Sequence, residues 1–208
     1  MVSLRNYGKH WCGASILDEV NILCAAHCIY DQTAPTMTIR VGNNKLSEQT
    51  ETYQVASIIQ HENYQRPSKK NDVAILTLTT PIVFRDGVQP VKLRQSDITT
   101  EEVVLSGWGL TSFPGENPDH LQYSTLNTIT YEECVKYEED FVVSETDVCT
   151  LDKIGIGACY GDSGSPLVDL KGEQVGITAW GIHGCGLGYP TVFTRVYSYL
   201  SWIEDNRK

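Results

Sequence analysis

The chain has 208 residues, of which 41% are hydrophobic and 20% are charged, so it is long enough for one large domain or two small ones. This composition is typical of a folded protein with a packed core and excludes a wholly disordered chain. The net charge of −10 and the lack of a basic stripe argue against a nucleic-acid partner, and no apolar run approaches the roughly 20 residues of a membrane-spanning helix.

Short strands are predicted in both halves of the chain. Hydrophobic and polar residues alternate over 36–41, and apolar runs follow at 73–76 and 103–105. Alternation returns over 174–179, and turn residues such as those at 42–44 separate the segments. Period-two alternation with few helical windows predicts an all-β barrel or sandwich.

One helix is predicted, at the end of the chain. Its apolar residues recur at helical spacing and fall on one face: Val196, Tyr199, Leu200 and Ile203. Upstream, the polar stretch 93–97 separates two β-rich halves and is the predicted domain boundary. The sequence therefore predicts an all-β protein that ends in an α-helix.

Three short segments carry residues suited to nucleophilic catalysis. They read Gly-Asp-Ser-Gly-Ser-Pro at 161–166, Ala-Ala-His-Cys at 25–28 and Asn-Asp-Val-Ala-Ile-Leu at 71–76. A serine hydroxyl is a poor nucleophile at neutral pH, so it needs a base to take its proton and a carboxylate to orient that base. Glycines beside the serine let backbone N–H groups approach a developing oxyanion.

The order His27, Asp72, Ser163 differs from the serine, acid, histidine order of α/β-hydrolases. At these segments the chain resembles the chymotrypsin-like (trypsin-fold) serine peptidases, and the resemblance covers essentially the whole chain. It implies two packed six-stranded antiparallel β-barrels with the site in the cleft between them. The expected domains are 1–94, with His27 and Asp72, and 95–208, with Ser163 and the terminal helix.

The resemblance also implies a role for each residue of the site. Ser163 is the expected nucleophile, His27 the base and Asp72 the group that holds His27, while the N–H groups of Gly161 and Ser163 bind the oxyanion. It implies a serine endopeptidase that cleaves proteins and peptides through an acyl-enzyme. No cofactor is expected.

The resemblance places a specificity pocket for the side chain before the scissile bond. Its base corresponds to Gly157 and its walls to Gly181 and Thr191, next to Ala179 and Trp180. Gly157 carries no charge, and Thr191 is bulkier than the glycine usual there. A neutral, partly filled pocket with an open entrance favours Phe, Tyr, Leu or Met over Lys and Arg.

Two residues depart from the family pattern, and so does the start of the chain. Ala179 stands where a serine usually donates to the triad aspartate, and Ser165 replaces a glycine. The chain opens at Met1, so we expect either a truncated sequence or a form that lacks the signal peptide, the propeptide and the activation terminus whose ammonium pairs with the residue matching Asp162. We therefore expect Asp162 to turn outward, with poor activity in this form, and a zymogen-like homologue that binds proteins stays as an alternative.

Seven cysteines indicate an oxidising, extracellular compartment. The resemblance implies three disulfides: Cys12–Cys28, Cys134–Cys149 and Cys159–Cys185. Cys24 remains unpaired in this pattern, and we interpret it as a buried thiol that packs as a small hydrophobic residue. A metal cluster of Cys24, Cys28 and His27 lacks a fourth ligand, and an intracellular thiol or metal protein built on Cys24 finds little support.

No metal site is expected elsewhere. The family's calcium loop is matched poorly, because the stretch 42–53 is short and cannot supply the roughly six to eight oxygen ligands that calcium needs. The remaining histidines have no paired spacing and are interpreted as surface or loop residues: His10, His61, His120 and His183. The expected partners are substrates and protein protease inhibitors, with no nucleic acid and no membrane, and the expected state is a monomer.

Overall fold

The computed structural model describes residues 1–137, 142–151 and 153–208. Its first half forms a closed antiparallel barrel with the strand order β1-β2-β3-β6-β5-β4. The six strands are β1 (Val2–Asn6), β2 (Lys9–Ile16), β3 (Asn21–Cys24), β4 (Met37–Arg40), β5 (Thr52–Gln60) and β6 (Ala74–Leu78).

The core of this barrel follows from the alternation in the sequence. Met37 and Ile39 on β4 are fully buried, whereas Thr38 and Arg40, which alternate with them, are partly exposed. The buried face of β4 then meets Leu4 of β1, which is also fully buried. Successive side chains of a strand point to opposite faces, so a period-two pattern places every second residue in the barrel interior.

The second half forms a second closed ring of six antiparallel strands. The order is β8-β9-β10-β13-β12-β11, and the ring closes because β11 pairs with both β12 and β8. The bounds are β8 (Glu102–Gly107), β9 (Gln122–Ile129), β10 (Asp147–Thr150), β11 (Pro166–Asp169), β12 (Glu173–Gly181) and β13 (Thr191–Arg195). A two-residue strand, β7 (Lys92–Leu93), adds to β12 in parallel. The prediction of two six-stranded antiparallel barrels is confirmed.

The chain ends in the predicted helix. It begins as a 3-10 turn at Val196–Tyr199 and continues as α3 (Leu200–Asn206). The buried side chains of Val196, Tyr199 and Ile203 belong to the same apolar cluster as the first barrel. Although the helix follows the second barrel in sequence, its apolar face packs against the first.

Among the described residues, two further α-helices are each one turn long and were not predicted from the sequence. They are α1 (Ala26–Ile29) and α2 (Tyr131–Cys134). At α2, Thr130 and Glu133 form a capping box in which each side chain accepts from the other's backbone N–H. Single 3-10 turns lie at Ala34–Thr36 and Val135–Tyr137.

Six of the seven cysteines form disulfides that close loops of 15 to 26 residues. The pairs are Cys12–Cys28, Cys134–Cys149 and Cys159–Cys185. Each stabilises the fold by about 3 kcal/mol if it acts by restricting the unfolded chain. Cys24 is free and fully buried. Among the described residues no helix has the length and apolar character needed to cross a bilayer.

Candidate active site

The two barrels bring the predicted catalytic residues to one cavity of about 360 Å³. His27 lies on α1, Asp72 lies two residues before β6, and Ser163 lies in the loop that leads to β11. His27 and Ser163 line the cavity, and Asp72 is buried behind His27. The three residues thus come from two separate barrels, and their geometry depends on how the barrels pack.

Asp72 holds His27 at two points. The Nδ1 atom of His27 lies 2.6 Å from Oδ2 of Asp72, and the backbone N–H of His27 donates to Oδ1 at 2.7 Å. The carboxylate of Asp72 is fully buried, whereas the side chain of His27 is 17% exposed. Because Asp72 binds Nδ1, the tautomer with a proton on Nδ1 is favoured, and Nε2 is left as the basic atom.

Residues near the end of the chain hold the segment that carries Asp72. The hydroxyl of Thr194 donates to the backbone carbonyl of Asp72 at 3.0 Å, and the hydroxyl of Tyr199 donates to Oδ1 of Asn71 at 3.0 Å. Ala179, one of the two residues that depart from the family pattern, is buried and supplies no side-chain donor. Its backbone carbonyl instead accepts a hydrogen bond from Nζ of Lys69 at 3.2 Å.

The backbone around Ser163 is tied to both barrels. The carbonyl of Ser163 accepts from the N–H of Gly13 at 2.8 Å, and the N–H of Gly164 donates to the carbonyl of Thr178 at 2.8 Å. Gly13 lies on β2 of the first barrel, and Thr178 lies on β12 of the second. Among the described residues no hydrogen bond joins Oγ of Ser163 to Nε2 of His27, and such contacts often tighten only when substrate binds.

The peptide unit before Gly161 is oriented by hydrogen bonds to its carbonyl. The carbonyl of Tyr160 accepts from the N–H of Leu110 at 2.9 Å and from Nδ2 of Asn117 at 3.4 Å. In a trans peptide the N–H points opposite to the C=O, so these bonds aim the N–H of Gly161 away from Leu110. In the described part of the chain, no hydrogen bond uses the N–H of Gly161 or of Ser163, which leaves both donors for a bound anion.

His10 is a site residue that the sequence reasoning missed. Its Nε2 donates to the carbonyl of Gly161 at 3.0 Å, and its Nδ1 accepts from the hydroxyl of Ser3 at 2.9 Å, a tautomer assigned from these partners. Burial lowers the pKa of His10 below its usual value, which favours this neutral form. The interpretation of His10 as a surface or loop histidine is therefore wrong, because it lies on β2 and supports the turn at Gly161.

His61 lies in the loop after β5, as interpreted, but it is buried and not at the surface. The residue is only 9% exposed, and its ring stacks on the ring of Trp202 at a centroid distance of 5.1 Å. It also meets the ring of Tyr199 edge-on at 5.6 Å. His61 thus anchors the terminal helix on the first barrel, and neither contact had a signal in the local sequence.

The expectation that Asp162 turns outward is wrong. The residue is 8% exposed, with Oδ1 accepting from the N–H of Gly109 at 2.8 Å and Oδ2 accepting from the N–H of Cys159 at 2.9 Å. A side chain on Gly107 or Gly109 would overlap the carboxylate. Two backbone donors and this narrow glycine cradle hold Asp162 inside, and burial raises its pKa to about 6.

The predicted pocket residues divide between two neighbouring cavities. Ala179, Trp180 and Gly181 line the cavity that contains His27 and Ser163. Gly157 instead lines the adjoining cavity of about 160 Å³ that contains Asp162. The hydroxyl of Thr191 accepts from the N–H of Ala158 at 3.4 Å and would lie 3.1 Å from a Cβ added at Gly157, so Thr191 packs against both of these residues.

The comparisons with known proteins agree with this geometry. Residues 1–203 match the family model described as Trypsin. The chain belongs to the trypsin family. It is 38% identical to chymotrypsin-2 of Vespa crabro over an alignment of 208 positions that covers 99% of this chain and 93% of that protein. It is 33% identical to trypsin delta of Drosophila melanogaster, covering 99% of this chain and 82% of that protein.

A solved structure shows the same trypsin-family fold. Neuropsin, described as a serine protease expressed in the limbic system of mouse brain, superposes with a TM-score of 0.89 at 29% identity. The match covers 98% of this chain and 92% of neuropsin. The chain is therefore a serine endopeptidase, a hydrolase whose substrates are proteins and peptides.

One cluster in this trypsin-family protein has the composition of a metal site. The ligand atoms of Cys12, His27 and Cys28 lie within 4.8 Å of one another. Cys12 and Cys28 are joined in a disulfide, however, so neither offers a thiolate. Burial also raises the pKa of the remaining thiol, Cys24, well above its usual value, which leaves it protonated. The chemistry of the cluster is that of a disulfide beside an imidazole.

Proposed function

We propose that His27, Asp72 and Ser163 are the catalytic triad of this serine endopeptidase. The observation that carries the proposal is the 2.6 Å contact between Nδ1 of His27 and Oδ2 of Asp72, with Ser163 in the same cavity. A fully buried carboxylate bound to a partly exposed imidazole is suited to stabilise the imidazolium that forms when the serine loses its proton.

The proposed reaction has two halves. The Oγ atom of Ser163 attacks the carbonyl carbon of the scissile bond, while Nε2 of His27 takes the hydroxyl proton. The N–H groups of Gly161 and Ser163 then stabilise the negative oxygen of the tetrahedral intermediate. The intermediate collapses to an acyl-enzyme as His27 gives the proton to the leaving amine. Water then attacks the ester in the same way and regenerates Ser163.

We further propose a preference for apolar or aromatic residues immediately before the scissile bond. In the described part of the chain, no Asp or Glu side chain lines the 360 Å³ cavity, so nothing there would pair with a substrate lysine or arginine. Gly181 keeps the entrance open, Gly157 brings no charge, and Thr191, whose hydroxyl accepts from the N–H of Ala158, would reduce the depth. The name of the 38% identical relative, chymotrypsin-2, agrees with this preference.

The remaining parts of the proposal concern organisation and location. We assign 1–94 and 95–208 as the two domains, because their strands form separate barrels, although β7 and the terminal helix each pack against the other half. Three disulfides support an extracellular location. Protein protease inhibitors are proposed as partners of the same cleft, and the monomer as the working form.

The test is a single series of matched peptides that differ only in the residue before the cut. Phe, Tyr or Leu should give a higher kcat/KM than Arg or Lys. Ser163→Ala or His27→Ala should lower kcat by about 10⁴–10⁶, with little change in peptide binding. Hydrolysis that survives Ser163→Ala contradicts the triad, and a higher kcat/KM for Arg contradicts the pocket.

A further inference from the structure

A lysine side chain lies in the active-site cavity. Lys69 lines it together with His27 and Ser163, and its Nζ donates to the carbonyl of Ala179 at 3.2 Å. Lys69 is half-buried, and among the described residues no carboxylate oxygen lies within 4.0 Å of Nζ. Burial lowers the pKa of Lys69, while the charge of Asp72 acts in the opposite direction.

The ammonium of Lys69 has unused hydrogen-bonding capacity. It carries three donors, and the carbonyl of Ala179 takes one of them. A desolvated cation without a carboxylate partner is unfavourable, and a negatively charged group that enters the cavity would relieve this cost. The structure thus holds a partner for an anionic substrate group directly beside the proposed triad.

The position of this group along a bound peptide follows from strand geometry. Successive side chains of an extended chain point to opposite sides. If the side chain before the scissile bond enters the pocket bordered by Trp180 and Gly181, the preceding side chain points away from it. Among the described residues that line the cavity, His27 and Lys69 come from the first half of the chain, whereas Trp180 and Gly181 lie on β12 of the second barrel. The preceding side chain, turned away from Trp180 and Gly181, would therefore face His27 and Lys69.

We propose that Lys69 is a specificity-determining residue that favours Asp or Glu at the second residue before the scissile bond. This proposal rests on the proposed triad and pocket, since these fix where the peptide lies. The overall charge of −10 works against acidic peptides at long range. Salt screens that repulsion over about 10 Å at 0.1 M, whereas a contact pair inside the cavity is screened much less.

The experiment compares peptides with Glu, Gln or Lys at the second position and the same Phe before the cut. We expect kcat/KM to be about five- to tenfold higher for Glu than for Gln, the range of a charged hydrogen bond that is partly exposed. Lys69→Gln should bring this ratio close to one. Lys70→Gln is the matched control, because Lys70 carries the same charge one residue away but is exposed and lies outside the cavity lining; it should keep the ratio.

Three results would overturn the proposal. They are equal rates for Glu and Gln in the unaltered protein, a Glu preference that persists in Lys69→Gln, or a Lys69→Gln variant that cleaves all peptides faster by the same factor. The last result means that Lys69 only crowds the carbonyl of Ala179. Binding of the same peptides to Ser163→Ala, measured by calorimetry, gives the Glu-to-Gln ratio without turnover. A preference seen in binding supports Lys69 even if the triad assignment fails, so the two proposals fail separately.

Discussion

Replacing Gly164 by alanine tests whether close packing behind Ser163 sets the active site. Gly164 has φ +76, in the left-handed region. An added Cβ would lie 2.5 Å from the carbonyl oxygen of Gly13 and 2.6 Å from Sγ of Cys24. The first of these contacts is with backbone, which cannot rotate away, and it belongs to the residue whose N–H binds the carbonyl of Ser163.

The free energy of unfolding that Gly164→Ala should lose has two parts. A left-handed conformation costs a non-glycine residue about 1–2 kcal/mol, and overpacking a tight interior costs about 1–3 kcal/mol more. Gly172 provides the matched control, because it has φ +80 and nothing within 4 Å of an added Cβ. Gly172→Ala should therefore lose only the first part of the free energy of unfolding, whereas Gly164→Ala should lose both.

The assay is urea unfolding of the two variants and the unaltered protein, with kcat measured on one peptide. We expect Gly164→Ala to lose about 1–3 kcal/mol more of the free energy of unfolding than Gly172→Ala. We also expect it to lower kcat, because Gly13 and Ser163 must move apart to admit the methyl group. Equal losses of stability in the two variants, with kcat unchanged, would refute the reasoning.

Two more buried polar groups give predictions about stability. Burial raises the pKa of Asp147 to about 7, against the opposing charges of Arg195 and Lys70, while Asp72 adds to the rise. The folded protein therefore keeps this proton to a higher pH than the unfolded chain, so the free energy of unfolding should fall by about 3 kcal/mol between pH 4 and pH 7. Asp147→Asn should remove this fall in the free energy of unfolding, which urea titrations at the two pH values measure. An unchanged dependence of the free energy of unfolding on pH contradicts the prediction. The hydroxyl of Ser165 is buried without a hydrogen-bond partner among the described residues, so Ser165→Ala should raise the free energy of unfolding by about 1–2 kcal/mol, and a decrease would show that the hydroxyl is satisfied.

Local sequence patterns predicted the architecture because the spacing of apolar residues along a strand or helix shows which of its faces is buried. Alternation around Met37 and Ile39 marks one buried face, and the apolar stripe through Tyr199 and Ile203 marks one helix face. The one-turn helix at Ala26–Ile29 was not predicted, because four residues are too few to show a helical period. A tertiary disulfide and the packing around it hold this segment, and its own helix propensity contributes little.

The residue identities at 161–166, 25–28 and 71–76, and their order, came from the sequence by itself, as did the family they indicate. The tertiary structure decided how the surroundings of these residues are arranged. The hydrogen bond between His10 and Gly161 joins residues 151 positions apart in the sequence, and the one between Lys69 and Ala179 joins residues 110 positions apart. Such contacts form only when both barrels close and pack, and no local propensity encodes a partner that far away. The inward position of Asp162 has the same origin, because its two donors and its glycine cradle come together only in the folded chain.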